Sequence, residues 1–305
     1  MPPTAWLNGH TLDLDDARVS AFDAGFQHAV GLFETMHATR GRVFRVERHL
    51  ARLERSAREL GLTERLRTRA LEEAIQHTLE ASSLASGDDH ARVKLVITGG
   101  DLNLRTTPAD PGARMGAQDP TILITVTPQT PYPDEMFTRG VGVLIASYKA
   151  NPFDQTAGHK TLNYWQRLRA LQDAASAGMG ETLVLAVTNH VCSGAVSNLF
   201  IVKDGALLTP LAHTEEQPGA LAHPVLPGIT RAAVIEAAQR EGLAVTRRLV
   251  TIDDVLDADE LFLTNSGWGV LPVVRVEKKD IGAGTPGAVT TTLRKRWAEM
   301  LTHEG

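Results

Sequence analysis

The sequence predicts a two-domain protein of mixed α/β (α+β) class. Its 305 residues suffice for one large domain or two of ordinary size. Strand-like and helix-like runs alternate along the whole chain. A stiff segment, Pro128-Gln129-Thr130-Pro131-Tyr132-Pro133, carries three prolines in six residues and divides it. The expected division is a smaller N-terminal domain, residues 1–130, and a larger one, residues 131–305, with more strand.

The first element is a hairpin, because Ala5-Trp6-Leu7-Asn8-Gly9-His10 carries the Asn-Gly dipeptide that favours a tight β-turn. Gly31–Met36 reads as a strand, and Gly41 separates it from a second strand over 42–46. Leu50, Leu53, Ala57 and Leu60 share one helical face, and Gly61 ends that helix. Leu66, Ala70, Ile75 and Leu79 mark a second amphipathic helix. Val93–Thr98 and Ile122–Thr127 are rich in β-branched residues and read as strands. The polar, proline-containing stretch Gly99–Pro120 between them is long for a connecting loop. Beyond the linker, Val141–Tyr148 opens the second region. A helix with Leu168 and Leu171, a helix over 232–240 and a strand over 260–263 follow.

Composition narrows the function. Apolar residues make up 43% and charged residues 22%, as in ordinary globular chains, and the net charge is −5. That balance offers no basic footprint for nucleic acid or an anionic membrane surface. The apolar runs are too short to span a bilayer, and Met1–Trp6 lacks the pattern of a secretory signal, so a cytoplasmic protein is expected. One cysteine, Cys192, excludes a disulfide framework and a multi-cysteine metal site, and no metal is expected.

Three places have the residue types for chemistry. Lys160 lies in Gly158-His159-Lys160-Thr161-Leu162-Asn163; a desolvated lysine is the nucleophile of Schiff-base chemistry, though the spacing alone more commonly describes a surface lysine. Leu226-Pro227-Gly228-Ile229-Thr230-Arg231 leads into a helix whose free N–H groups suit a phosphate, or is simply a capped helix. Thr264-Asn265-Ser266-Gly267-Trp268-Gly269 offers hydroxyl and amide donors, or is simply a turn.

Read together, these pieces and their order resemble the class-IV aminotransferase family, the fold-type IV pyridoxal-phosphate enzymes. That family holds branched-chain and D-amino-acid aminotransferases and aminodeoxychorismate lyase. The resemblance runs through Trp6-Leu7-Asn8-Gly9, Asp23-Ala24-Gly25-Phe26, Gly31-Leu32-Phe33-Glu34-Thr35 and His49-Leu50-Ala51-Arg52-Leu53. It continues in His159–Asn163, Ser197-Asn198-Leu199-Phe200, Leu208-Thr209-Pro210, Gly228–Arg231 and Val270-Leu271-Pro272-Val273.

The resemblance implies pyridoxal 5′-phosphate in a cleft between the domains, bound to Lys160 as a Schiff base, with Lys160 also moving the Cα proton. Arg52, Ile229, Thr230 and Ser266 match phosphate-holding positions. Phe33 matches an aromatic wall. Arg105 loosely matches a substrate-carboxylate arginine. His28, in a turn that departs from the family pattern, reads as a substrate contact or, more commonly for such a residue, a buried backbone-bonded histidine.

The family's glutamate against the pyridine nitrogen lies five residues before the Asn198 position, and this chain has Ser193 there. A hydroxyl more naturally donates to a neutral ring nitrogen, which favours chemistry that expels a leaving group promptly. Asn265 points the same way. The implied function is an aminotransferase acting on an amino acid or related amine with an oxo-acid acceptor. The alternatives are aminodeoxychorismate lyase, giving 4-aminobenzoate and pyruvate, and a catalytically impaired cofactor-binding homologue. The resemblance also implies a homodimer.

Overall fold

The computed structural model describes residues 4–85, 89–100 and 120–304. It divides into two compact units. The first comprises Met1–Thr130, Lys160–Asn163 and Glu304–Gly305; the second comprises Pro131–His159 and Tyr164–His303.

In the first unit, β1 (Thr4–Leu7) and β2 (His10–Asp13) form the hairpin, with Asn8 and Gly9 both at positive φ in its turn. A short helix α1 (Ala24–His28) precedes the long strand β3 (Gly31–Thr39) and the two-residue strand β4 (Arg42–Val43). Helices α2 (Val46–Glu59) and α3 (Thr68–Ala81) follow, then β5 (His90–Thr98) and β6 (Ile122–Pro128). The strands make one antiparallel sheet in the order β2-β1-β6-β5-β3-β4. Leu50, Leu53 and Ala57 of α2 pack with Leu71, Ile75 and Leu79 of α3 on one face of this sheet, against Met36, Val93, Leu95 and Ile124.

Three readings shift here. The strand expected over 42–46 stops at Val43 because Val46 already starts α2. The buried face of α3 is set by Leu71, Ala74, Ile75, Thr78 and Leu79, so Ala70 is exposed and Leu66 precedes the helix. Lys160–Asn163 group with the first unit rather than with residues 131–305, because they extend its sheet. The Phe33 N–H donates to Lys160 O at 2.9 Å, the Leu162 N–H donates to Gly31 O at 3.0 Å, and Leu32 faces Thr161 in an antiparallel bridge. Gly31 permits the approach: a Cβ there would lie 2.7 Å from both Ile97 O and Leu162 Cδ1.

The second unit begins with α4 (Glu135–Thr138), β7 (Val141–Ala150), α5 (Trp165–Ser176), β8 (Glu181–Ala186) and β9 (Val191–Gly194). Then come β10 (Asn198–Lys203), β11 (Ala206–Pro210), α6 (Ile229–Arg240), β12 (Val245–Arg248) and α7 (Ile252–Leu256). The chain ends with β13 (Glu260–Asn265), β14 (Gly269–Val276), β15 (Lys279–Asp280) and α8 (Ala288–Glu304).

Neighbouring strands run β12-β11-β10-β13-β14-β7-β8-β9, and β9 pairs again with β10. Six strands therefore close into a ring. Its interior is filled by Leu199 and Ile201, Leu261 and Leu263, Leu271 and Val273, Val143, Leu183 and Val191, the inward half of each strand's alternation. The outward half includes Phe200 and Phe262, stacked at 4.9 Å. In α5 the buried residues are Ala170 and Ala174, while Leu168 is exposed, so the expected apolar face of that helix is displaced.

Candidate active site

The backbone bonds to β3 put Lys160 directly beside Phe33, on the sheet face away from α2 and α3. Lys160 is half-buried, and its Nζ stands 4.3 Å from the centre of the Phe33 ring. A second ammonium shares that ring. Lys94 of β5 lies opposite Thr35 in register, diagonal to Phe33, and its Nζ is 5.1 Å from the same centre. An ammonium over an aromatic face is attracted by the ring quadrupole, which helps to position both side chains.

Arg52, on the buried face of α2, meets Glu34 of β3 side-on. Its Nε donates to Oε1 at 2.9 Å and its Nη2 to Oε2 at 2.5 Å, and His49 Nδ1 reaches the same Oε2 at 2.7 Å. All three are buried. Burial alone would raise the Glu34 carboxyl, but the Arg52 charge and the His49 hydrogen bond outweigh it and hold it at about 2. Burial pushes His49 below the ordinary histidine value, although Glu34 opposes this, so the neutral ring donates Nδ1–H. One edge of the Arg52 fork is thus committed to Glu34, a partner the sequence reading did not assign.

In the second unit a polar row crosses the outer face of the strand ring. Ser193 of β9 faces Asn198 of β10, which faces Thr264 of β13. Asn198 Nδ2 donates to Leu226 O at 2.8 Å, just before α6. A Cβ on Gly228 would collide with Asn198 Oδ1, so only glycine lets this turn close over Asn198. Gly228 is also the N-cap of α6, and no side chain among the described residues caps the helix. Ile229 and Thr230 occupy its first turn, as the motif implied. Arg231 turns away, holding Glu215 through both Nη atoms at 2.8 Å and Pro210 O at 2.9 Å.

Ser193 Oγ donates to Gly194 O at 2.8 Å. Cys192 beside it is buried, and burial pushes its thiol up to about 11. The nearby carboxylate is Glu181 of β8, which shares the side of Leu183 and Gly194, opposite Ser193. It accepts from the N–H groups of Thr182, Ala195 (3.0 Å) and Val196 (2.9 Å) and from Ser197 Oγ (3.1 Å). It holds the Gly194–Ser197 turn and does not replace the glutamate missing at Ser193.

Ser266 sits half-buried in the β13–β14 turn. Asn265 organises that turn, its Oδ1 accepting from the Gly267 N–H at 2.8 Å and the Trp268 N–H at 3.0 Å. His28 is exposed at the end of α1, where Ala29 in the left-handed region closes the helix. The buried, backbone-bonded reading of His28 is therefore wrong. Arg105 lies outside the described residues.

The family model for amino-transferase class IV matches residues 31–276. The chain belongs to that family. It is 31% identical over 301 residues to a putative branched-chain-amino-acid aminotransferase of Methanocaldococcus jannaschii, covering 98% of this chain and 97% of that protein. The 4-amino-4-deoxychorismate lyase of Pseudomonas aeruginosa superposes with a TM-score of 0.79 at 28% identity, covering 97% of this chain and 98% of that one. A T.th. branched-chain amino acid aminotransferase, solved with pyridoxamine 5′-phosphate, has the same fold: TM-score 0.86, 24% identity, covering 100% and 96% of the two chains. The chain is thus a class-IV enzyme of fold-type IV, and relatives of both reaction types stand around it.

Glu34→Gln removes a buried charge while leaving Arg52 buried. Equilibrium denaturation at pH 7 is expected to show a loss of about 3–5 kcal/mol, the scale for breaking a buried ion pair. Because the Glu34 carboxyl is depressed, its contribution is complete above its ordinary value of 4.5 and fades as the pH falls toward about 2. The difference between wild type and variant should shrink through that window. A constant difference would show that the charge of Glu34 is not what stabilises.

Proposed function

We propose that this class-IV enzyme is a pyridoxal-phosphate-dependent aminotransferase with Lys160 as its catalytic amine. The observation that carries the reading is the fixed register of Lys160 on β3, with its Nζ standing over the Phe33 ring. The donor set fits the cofactor. Arg52, the N–H groups of Ile229 and Thr230, and the Ser266 hydroxyl are the types that hold a phosphate monoester, and the uncapped start of α6 leaves such donors to a ligand. When bound, pyridoxal phosphate supplies a covalent hold on the substrate's amino nitrogen and draws electrons from the neighbouring carbon.

Lys160 holds the cofactor at rest and takes the proton from the substrate Cα. Glu34 fixes the plane of the Arg52 guanidinium, so a phosphate meets an arginine already ordered. Phe33 forms an apolar wall that keeps water from the amine. Lys94, whose Nζ stands by the same ring as that of Lys160, suits a second carboxylate, which favours a dicarboxylic oxo acid as the amino acceptor. Lys94→Met is expected to raise KM for a dicarboxylic acceptor roughly tenfold, the worth of one charge-assisted contact, and to leave a monocarboxylic one nearly unchanged. Equal effects on both would remove Lys94 from substrate recognition.

Lys160→Ala should abolish both turnover and the borohydride-reducible attachment of the cofactor; a variant that keeps the attachment overturns the assignment. The lyase reading draws support from the Pseudomonas relative and from a Ser193 position without a carboxylate. Products separate the two: an oxo acid formed from an amino donor marks the transferase, while pyruvate and 4-aminobenzoate from aminodeoxychorismate mark the lyase. A protein that binds the cofactor and forms neither is the impaired homologue.

A homodimer is part of this proposal. Phe22 and Phe26 are 68% and 76% exposed on either side of Asp23, which is anchored to Gly25 N, Thr98 Oγ1 and Thr121 Oγ1. Two large aromatics displayed on so firmly tied a segment suit an interface. Light scattering should give twice the chain mass of 33.0 kDa; a monomer at micromolar concentration would refute it.

A further inference from the structure

The polar row across the strand ring holds one atom with nothing to bond. Thr264 is 1% exposed, and its Oγ1 has no hydrogen-bond partner among the described residues. Its companions in the row are satisfied, Ser193 on Gly194 O and Asn198 on Leu226 O. A buried hydroxyl left unpaired is disfavoured, and a native chain that keeps one commonly has a missing partner. An apolar residue of the same shape would fit this strand without that cost.

The surroundings identify the partner. Thr264 faces Asn198 directly in register, which puts their Cβ atoms about 5 Å apart. The Asn198 side chain touches both Leu226 O and the space over Gly228, so this part of the sheet lies directly beneath the turn that starts α6. The helix opens there with no side-chain cap, and its first N–H groups and positive end attract an anion. Thr264 offers a donor without an acceptor on the strand next to Asn198, the residue over which the turn into α6 closes. One group satisfies both, an anion with several acceptor oxygens.

We propose that Thr264 is a further ligand of the cofactor phosphate, donating Oγ1–H from below while the Ile229 and Thr230 N–H groups donate from the helix. The proposal rests on the reading that a phosphate monoester seats at the start of α6. The sequence placed Thr264 in a segment of hydroxyl and amide donors, and the family resemblance matched only Ser266 of that segment to the phosphate.

The test uses Thr264→Val, which keeps the shape and removes the hydroxyl. The apo variant should be at least as resistant to denaturant as wild type, because an unpaired group has gone. Its dissociation constants for pyridoxal phosphate and for inorganic phosphate should rise about tenfold, as expected for one lost hydrogen bond to a charged acceptor. Affinity for pyridoxal, which lacks the phosphate, should not change, and Thr264→Ser should retain most of the wild-type affinity. Unchanged phosphate affinity in Thr264→Val overturns the proposal, as does an equal loss for pyridoxal and its phosphate. Ser266→Ala separates the two readings. If it weakens phosphate binding and Thr264→Val does not, Thr264 alone is misassigned. If neither does, and phosphate gives wild type no protection against denaturant, the seat at α6 is itself misplaced.

Discussion

Two backbone hydrogen bonds, Phe33 N–H to Lys160 O and Leu162 N–H to Gly31 O, are the constraint on which the candidate site depends. They turn a short segment remote in sequence into an extension of the first unit's sheet. Side-chain direction follows from pairing, since residues opposite each other across a ladder point to the same face. Lys160 and Phe33 are therefore neighbours by backbone geometry, before any attraction between them is counted. The same alternation turns Leu32 and Glu34 inward, so one strand serves the apolar core, the buried ion pair and the reactive face with successive residues.

The two buried glutamates show how neighbours decide the behaviour of a carboxyl. Glu34 meets a guanidinium and is held at about 2; Glu181 meets only neutral donors, and burial raises it despite four of them. Desolvation acts on both in the same direction. What differs is the charge of the partner. Glu34 stays ionised and locks an arginine in place, whereas Glu181 organises a turn and places no charge beside Ser193. A carboxylate close in space is not a substitute for one on the correct side of a sheet.

Local pattern made much of the fold legible. The Asn8-Gly9 turn, the α2 face of Leu50, Leu53 and Ala57, and the strands at Val93 and Ile122 each follow from a few adjacent residues. Lys160 was visible because its motif resembles a family, not because its spacing distinguishes it from a surface lysine. Lys94 and Glu181 stayed hidden because their surroundings arise from cross-strand partners, and register is a property of the assembled sheet. Their sequence neighbours look like any alternating strand. The misplaced faces of α3 and α5 have a related cause: with alanines and threonines among the apolar residues, two helical faces look nearly alike, and packing chooses between them. His28 went the other way, toward solvent, at the end of a helix too short to bury it.

The pairing of Ser193 with Asn198 is also where the six-stranded ring closes. An open sheet can slide at its edge, but a closed one fixes each strand from both sides, and a one-residue slip would turn every outward side chain into the packed interior. Position and chemistry are thereby separated at this point. The architecture dictates where the side chain of residue 193 stands, while the backbone pairing that fixes it does not depend on which side chain that is. A ring closed by backbone pairing separates the chemistry of such a position from the mechanics of the scaffold that carries it.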